Sequence, residues 1–376
     1  MTDATNAVRS AHDMIESVLT AESSDAHRLI AAKCRALLTA YDARWGSPSF
    51  TILGIEQLVQ ADLYNPETQA KSRTFSVAAK LDLLGHRDGR RILMDHKTTS
   101  DDIEDPNSSY WRQLVIESQP SHYMLLEWLN GRKCDESTWD VLRKPDIRPK
   151  QIAKKDREEV KRYRHYFGVP VADEVVEEME ATERETLSMY EARLIHDCAQ
   201  RPAHYFQRRT VPRLDADIHE HAQELWEYSQ EIIAARRTNR HPRNSGACMT
   251  YGRPCTYLGI CSGFDSPESD NWQKKVQVHN ELDLNETDGR NVLTNSRLTV
   301  FKSCRRKHFL QYEVGIERVT EEDTESLWFG SLWHKALDAY FGYYQKQQGE
   351  HHVSNSDSTG SGLVTVGTAD EHQAEV

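Results

Sequence analysis

The chain has 376 residues, 38% of them hydrophobic and 28% charged, enough length to bury one large core or two small ones in a protein expected to be soluble. Its formal net charge is −12, from 47 basic and 59 acidic residues, so no globally basic surface advertises a nucleic-acid partner, and no apolar run approaches the roughly 18 residues that span a bilayer. Residues 1–22 lack the basic start and apolar centre of a secretory leader, so the expected location is cytoplasmic, where the seven cysteines read as metal ligands or buried hydrophobes before disulfides.

In chain order, residues 26–41 place Leu29, Ile30, Cys34, Leu37, Leu38 and Tyr41 on one face of a predicted helix. Residues 50–63, 74–84 and 91–95 read as strands, the last two joined by a turn at Arg87-Asp88-Gly89. A helix is expected over 110–129, ended by Asn130-Gly131, then a strand over 137–143 closed by Lys144-Pro145. Long polar helices are expected over 171–198 and 215–236, and two further helices over 295–312 and 325–344. The order of strand, hairpin, helix and strand predicts a mixed α/β core, a mixed sheet flanked by helices. Residues 1–24 are expected to be a flexible N-terminus and 25–262 the core with a cysteine-bearing loop. Residues 263–292 read as an acidic linker, 293–349 as the last two helices and 350–376 as a disordered tail.

The chemistry concentrates in the hairpin. Asp82 ends Ala79-Lys80-Leu81-Asp82, and the next strand carries Asp95-His96-Lys97. Paired antiparallel strands can bring Asp82 and Asp95 together, and alternation puts Asp95 and Lys97 on one face. Two carboxylates and a lysine on one face fit a hard divalent cation, Mg²⁺ or Mn²⁺, with the ammonium beside a nucleophilic water or a phosphate. The same residues also fit an ordinary surface Asp–Lys pair. Cys248, Cys255 and Cys261 lie in a Gly- and Pro-containing loop of the kind that wraps a metal, one thiolate short of the usual four. Basic runs at 161–165, 207–209, 236–243 and 305–307 are either solvated surface or local phosphate contacts.

These motifs resemble the PD-(D/E)xK nuclease superfamily, and within it the RecB-like and AddB-like exonucleases, CRISPR-associated and phage-type members included. Asp95-His96-Lys97-Thr98-Thr99 is similar to their D/E-x-K element, and Gln119-Pro120-Ser121-His122-Tyr123 to their Q-x-x-x-Y helix; Ala79 stands where the first element usually has glycine. Phe301-Lys302-Ser303-Cys304-Arg305-Arg306-Lys307 resembles the phrase that supplies a distant fourth cysteine, and Gly330-Ser331-Leu332-Trp333-His334 the G-x-x-H helix with which such enzymes begin.

The resemblance implies a restriction-endonuclease-like core with helical additions, in circularly permuted order, since residues 293–349 match the family's N-terminal helices but follow its core. It implies a metal-dependent deoxyribonuclease acting on single-stranded DNA ends in repair, recombination or phage and CRISPR-type processing, alongside a helicase or recombination partner. Asp82, Asp95 and His334 would hold Mg²⁺ or Mn²⁺, Lys97 would serve the attacking water, and Gln119 and Tyr123 would position DNA. Cys304, Cys248, Cys255 and Cys261 would bind a [4Fe-4S] cluster, with structural Zn²⁺ as the rival. Glu56 is a weaker, outlying candidate. Residues 293–349 could dock on their own chain or on a second copy as a swapped dimer, or reflect a truncated tandem gene. A noncatalytic DNA-binding scaffold is the alternative function.

Overall fold

The protein is described by a computed structural model at residues 3–250, 252–279, 282, 289–319 and 325–356. Two helices come first, α1 (Asp3–Val18) and α2 (Asp25–Trp45). The Ser24 hydroxyl accepts from the His27 amide at 3.2 Å to cap α2, which stops at Gly46, whose φ of 61° suits only glycine without cost. Three strands follow as a meander, β1 (Thr51–Tyr64), β2 (Lys71–Arg87) and β3 (Arg90–Thr99). Helices α3 (Ser109–Ile116) and α4 (Ser118–Leu129) then cross to β4 (Glu136–Arg143), which lies parallel to β3.

The single helix expected over 110–129 breaks at the extended residue Glu117, ψ 128°. Pro120 offers no amide and its ring would clash with the carbonyl of residue 116, so the helix restarts with proline in its first turn, where it is tolerated. A peripheral stretch comprises α5 (Lys154–Tyr163), the short strands β5 (His165–Tyr166) and β6 (Val169–Pro170), α6 (Asp173–Thr182) and α7 (Leu187–Gln200). The one helix expected over 171–198 is therefore two, divided at Glu183, whose φ is 56°, with Thr186 capping α7. Next come α8 (Pro202–Tyr205), β7 (Phe206–Thr210) antiparallel to β4, and α9 (Asp215–Thr238).

The hairpin of β8 (Met249–Thr250) and β9 (Arg253–Pro254) and the short α10 (Leu258–Ser262) carry the clustered cysteines. Beyond them are β10 (Trp272–Lys274), β11 (Asn291–Leu293), α11 (Asn295–Ser303), α12 (Arg305–His308), β12 (Ile316–Arg318) and α13 (Glu325–Ser356). The helix expected over 295–312 is interrupted at Cys304, which is extended at φ −159°. β10 pairs with β12, so part of the expected linker is built into the fold, while 280–281 and 283–288 lie outside the described residues. Of the expected tail, α13 takes up 350–356 and the remainder lies outside the described residues.

The main sheet runs β1-β2-β3-β4-β7, with β11 parallel to β2. One face packs Ile52, Leu83 and Met94 against α1, α2, α7 and α13; the other packs Val77, Leu81 and Leu93 against α4, α9 and α11. The expected flexible N-terminus is instead a docked helix, because Ala7, Ala11 and Ile15 recur at four-residue spacing and all are buried against α13. On α13, Phe329, Leu332, Trp333, Ala336, Leu337, Tyr340, Phe341 and Tyr344 form one buried stripe. Burying that set contributes on the order of 10 kcal/mol before ordering costs. No helix among the described residues is long and apolar enough to cross a membrane.

Candidate metal centre

The edge of β2 is shared between two neighbours. Its residues 83–87 pair with β3 and its residues 75–77 with β11. Asp82 sits between those two pairings. Continuing the β2–β3 register by one pair sets it opposite Asp95, while Ile55↔Leu83 and Gln57↔Leu81 bracket Glu56 opposite it on β1. Three carboxylates thus stand in a row across three strands, an arrangement that repels itself unless positive charge intervenes. Glu56 is held at φ 48°, a region that costs a glutamate about 1 kcal/mol or more.

His334 reaches this row from α13, with Nδ1 at 3.7 Å from Asp82 Oδ2. One donor atom from each of Glu56, Asp82 and His334 lies within 4.8 Å of the others, a span one ion can bridge. Lys97 pairs with Asp95, and Lys80 with Glu56 at 2.5 Å. Glu56, taken from the sequence as an outlying candidate, is therefore central.

The electrostatics suit a cation. Burial, then the neighbouring Asp95 carboxylate, push the Asp82 carboxyl up to about 7. The His96 main-chain amide, donating to Asp82 Oδ2 at 2.8 Å, does not offset them. Burial and the nearby positive groups His96, Lys97 and Lys80 bring the His334 imidazole down to about 3, so it is neutral and free to ligate near pH 7. Burial works against the Lys97 ammonium, yet Asp95 and Asp82 outweigh it and hold its pKa above the usual lysine value. Asp95 is 2% exposed, and its Oδ1 has no hydrogen-bond partner. An orphaned, buried carboxylate oxygen beside two more carboxylates and a neutral imidazole is the donor set of a hard divalent ion, so the residues fit Mg²⁺ or Mn²⁺.

The row opens into a cavity of about 820 Å³, whose walls include Asp82, His334, Gln119, Tyr123, Lys144 and Ser296. Gln119 Nε2 donates to the Tyr123 hydroxyl at 2.5 Å, one turn apart on α4 as the sequence spacing predicts. Asp338, one turn beyond His334, lines the same cavity, and burial, then Glu56, push its carboxyl up to about 7. Its spacing of four from His334 was the only sign of it in the sequence.

The other four-residue set is brought together at the opposite end of α11. Cys248 and Cys255 flank the β8–β9 hairpin, the Cys255 amide donating to the Cys248 carbonyl at 2.8 Å. The preceding loop ties itself to the Cys304 corner: Asn244 Nδ2 donates to the Ser303 carbonyl at 2.8 Å, and the Arg306 amide to the Pro242 carbonyl at 3.2 Å. Burial, then Cys255, Cys304 and Cys248, raise the Cys261 thiol. No three of these sulfurs fall within 4.8 Å of one another, whereas a tetrahedral zinc would set them roughly 3.8 Å apart. Cys34, Cys134 and Cys198 are buried packing residues.

A family model described as the PD-(D/E)XK nuclease superfamily matches residues 292–366. That segment contains Cys304 and His334, and Asp82, Asp95 and Lys97 lie outside it. No curated protein and no solved structure matches the chain.

Proposed function

We propose that this protein is a metal-dependent deoxyribonuclease of PD-(D/E)xK type in circularly permuted order, its C-terminal helices completing a site begun by its N-terminal core. The observation that carries the reading is the convergence of Glu56, Asp82 and a neutral His334 at the wall of one cavity, with the paired Asp95 and Lys97 on the next strand behind that wall. A bound Mg²⁺ or Mn²⁺ would polarise the scissile phosphate and lower the pKa of a bound water. Asp82, Asp95, Glu56 and His334 would hold the ion. Lys97, fixed against Asp95, presents its ammonium where it can orient the attacking water and offset phosphate charge. Gln119 and Tyr123 would position the nucleic acid, with Lys144 and Lys335 on the cavity wall as phosphate partners.

Within this reading the substrate is single-stranded DNA with a free end, and the setting is repair, recombination or phage-type processing beside a helicase, in the cytoplasm. Cys248, Cys255, Cys261 and Cys304 would bind a [4Fe-4S] cluster, with structural Zn²⁺ as the rival. Its role is to staple the Cys304 corner to the three-cysteine loop, and it contributes folding energy.

The test is cleavage of end-labelled single-stranded DNA by anaerobically purified protein with Mn²⁺, wild type against Lys97→Ala. Degradation lost in the variant supports the nuclease. A folded, iron-loaded wild type that binds DNA and cleaves nothing overturns it in favour of a noncatalytic DNA-binding scaffold.

A further inference from the structure

His96 is the middle residue of Asp95-His96-Lys97, and strand alternation turns its ring away from the two charged neighbours, into the protein. It is 2% exposed, and its ring is engaged by Asp140 and stands outside the Glu56, Asp82 and His334 donor group. One residue beyond the carboxylate row, whose partner on β4 is Trp139, the register forms a second row: His96 is paired with Asp140 on β4, and Asp140 with Arg208 on β7. All three side chains meet. His96 Nδ1 lies 3.1 Å from Asp140 Oδ2, Arg208 Nε donates to Asp140 Oδ1 at 3.0 Å, and Arg208 Nη2 donates to the Tyr41 hydroxyl at 2.6 Å. The Tyr41 hydroxyl in turn donates to Asp140 Oδ2, and the Arg208 guanidinium covers the Trp45 ring at 4.3 Å.

The main chain of the same residue touches both halves of the metal centre. The His96 amide donates to Asp82 Oδ2 at 2.8 Å, and the imidazole of His334 hydrogen-bonds to the His96 backbone. The His96 ring also stacks on Phe341, 5.4 Å between centroids, about two helical turns beyond His334 on α13. Residue 96 therefore sits between a ligand from the N-terminal core and a ligand from the C-terminal helix.

A buried charged row is a poor way to gain stability. Removing a carboxylate and a guanidinium from water costs several kcal/mol per ion, and well-packed apolar residues of similar volume stabilise a core as well or better. What such a row supplies is a single geometry. We infer that His96, Asp140, Arg208 and Tyr41 form a positioning device that fixes the backbone at residue 96 and, through it, the relative placement of the Asp82 and His334 ligands. The inference rests on the metal-dependent reading of that centre. It makes Asp140 and Arg208 positioning residues that act without contact with metal or DNA.

The experiment replaces the row rather than merely breaking it. Asp140→Asn removes the charge and keeps the shape; the triple variant His96→Phe, Asp140→Leu, Arg208→Met replaces the row by apolar residues of similar volume. For each, thermal stability, Mn²⁺ affinity by EPR titration, and kcat and KM on single-stranded DNA are measured against wild type. The expected result is a triple variant at least as stable as Asp140→Asn whose Mn²⁺ affinity falls roughly 10- to 100-fold and whose kcat falls tenfold or more at unchanged KM. Mn²⁺ affinity and kcat that return to wild type when stability returns overturn the proposal, because the row is then only structural. Should the triple variant not fold, Asp140→Asn decides alone: wild-type Mn²⁺ affinity overturns the proposal and loss of affinity in a folded protein supports it. A folded wild type that binds no Mn²⁺ overturns the metal-dependent reading itself, an outcome distinct from wild type and variants binding alike.

Discussion

Asp82→Asn should stabilise the metal-free protein while abolishing its function, and the size of the effect should depend on pH. The side chain is 13% exposed, and its carboxyl is displaced from 3.8 to about 7 by burial and then Asp95. A carboxyl harder to ionise in the folded state than in the unfolded one makes folding less favourable as pH rises from the unfolded value through the folded one, so the loss accumulates between about pH 4 and 7 and is complete above. At about 1.4 kcal/mol per pH unit the full loss is on the order of 4 kcal/mol. Asparagine does not titrate, and its carbonyl can still accept the His96 amide. In EDTA at pH 8 the variant should therefore exceed wild type by about 2–4 kcal/mol, and at pH 5 by about 1 kcal/mol. For a chain of this length that corresponds to roughly 3–5 °C in Tm at pH 8. Comparing the two proteins at each pH cancels the buried His122 and His308, whose lowered pKa values give wild type an opposite slope. Added Mn²⁺ should reverse the order, since ligation stabilises only the protein with the complete site. Differential scanning calorimetry at the two pH values, with and without Mn²⁺, measures all of this. A variant less stable than wild type at pH 8 in EDTA, or a gap that does not change with pH, refutes the reasoning.

Three further outcomes follow from the same geometry. Glu56→Gln keeps the shape of the side chain but removes the charge of one of the three converging ligands, Glu56, Asp82 and His334, so Mn²⁺ affinity should fall about tenfold by EPR titration; unchanged affinity would place Glu56 outside the centre and leave it only the partner of Lys80. Tyr123→Phe deletes the hydroxyl that accepts from Gln119, and at about 0.5–1.5 kcal/mol for one hydrogen bond should raise KM for DNA roughly 2- to 10-fold with kcat little changed. Cys304→Ser should yield protein with iron well below stoichiometric and new protease cleavage in the 240–262 loop, because that loop is tied to the Cys304 corner; full iron content would remove Cys304 from the set of ligands.

The hairpin centre was legible because its information is local. Asp82, Asp95 and Lys97 lie within one turn-connected pair of strands, and alternation alone puts Asp95 and Lys97 together. The helix breaks were less so: Pro120 offers a local reason for the gap at Glu117, but nothing in the residues around Cys304 or Glu183 stops a helix, and tertiary contacts decide there. The opening helix was missed because alanines at 7 and 11 carry almost no periodic hydrophobic signal, yet they let α1 approach α13 closely.

Glu56 and the His96 row were illegible for a different reason, and it bears on how the site is built. Which residue of β1 faces Asp82, and which residues of β4 and β7 face His96, are facts of register between strands far apart in sequence, and a one-residue slip would put a different side chain in each place. The register of β4 is anchored by the Asp140 row itself, and α13 enters the same row through the contact of Phe341 with His96. His334 can thus arrive from the C-terminal end of the chain and still meet Asp82, because the position it must find is set by the stacked ring at residue 96 and by the buried stripe of α13, neither of which depends on where in the sequence α13 occurs.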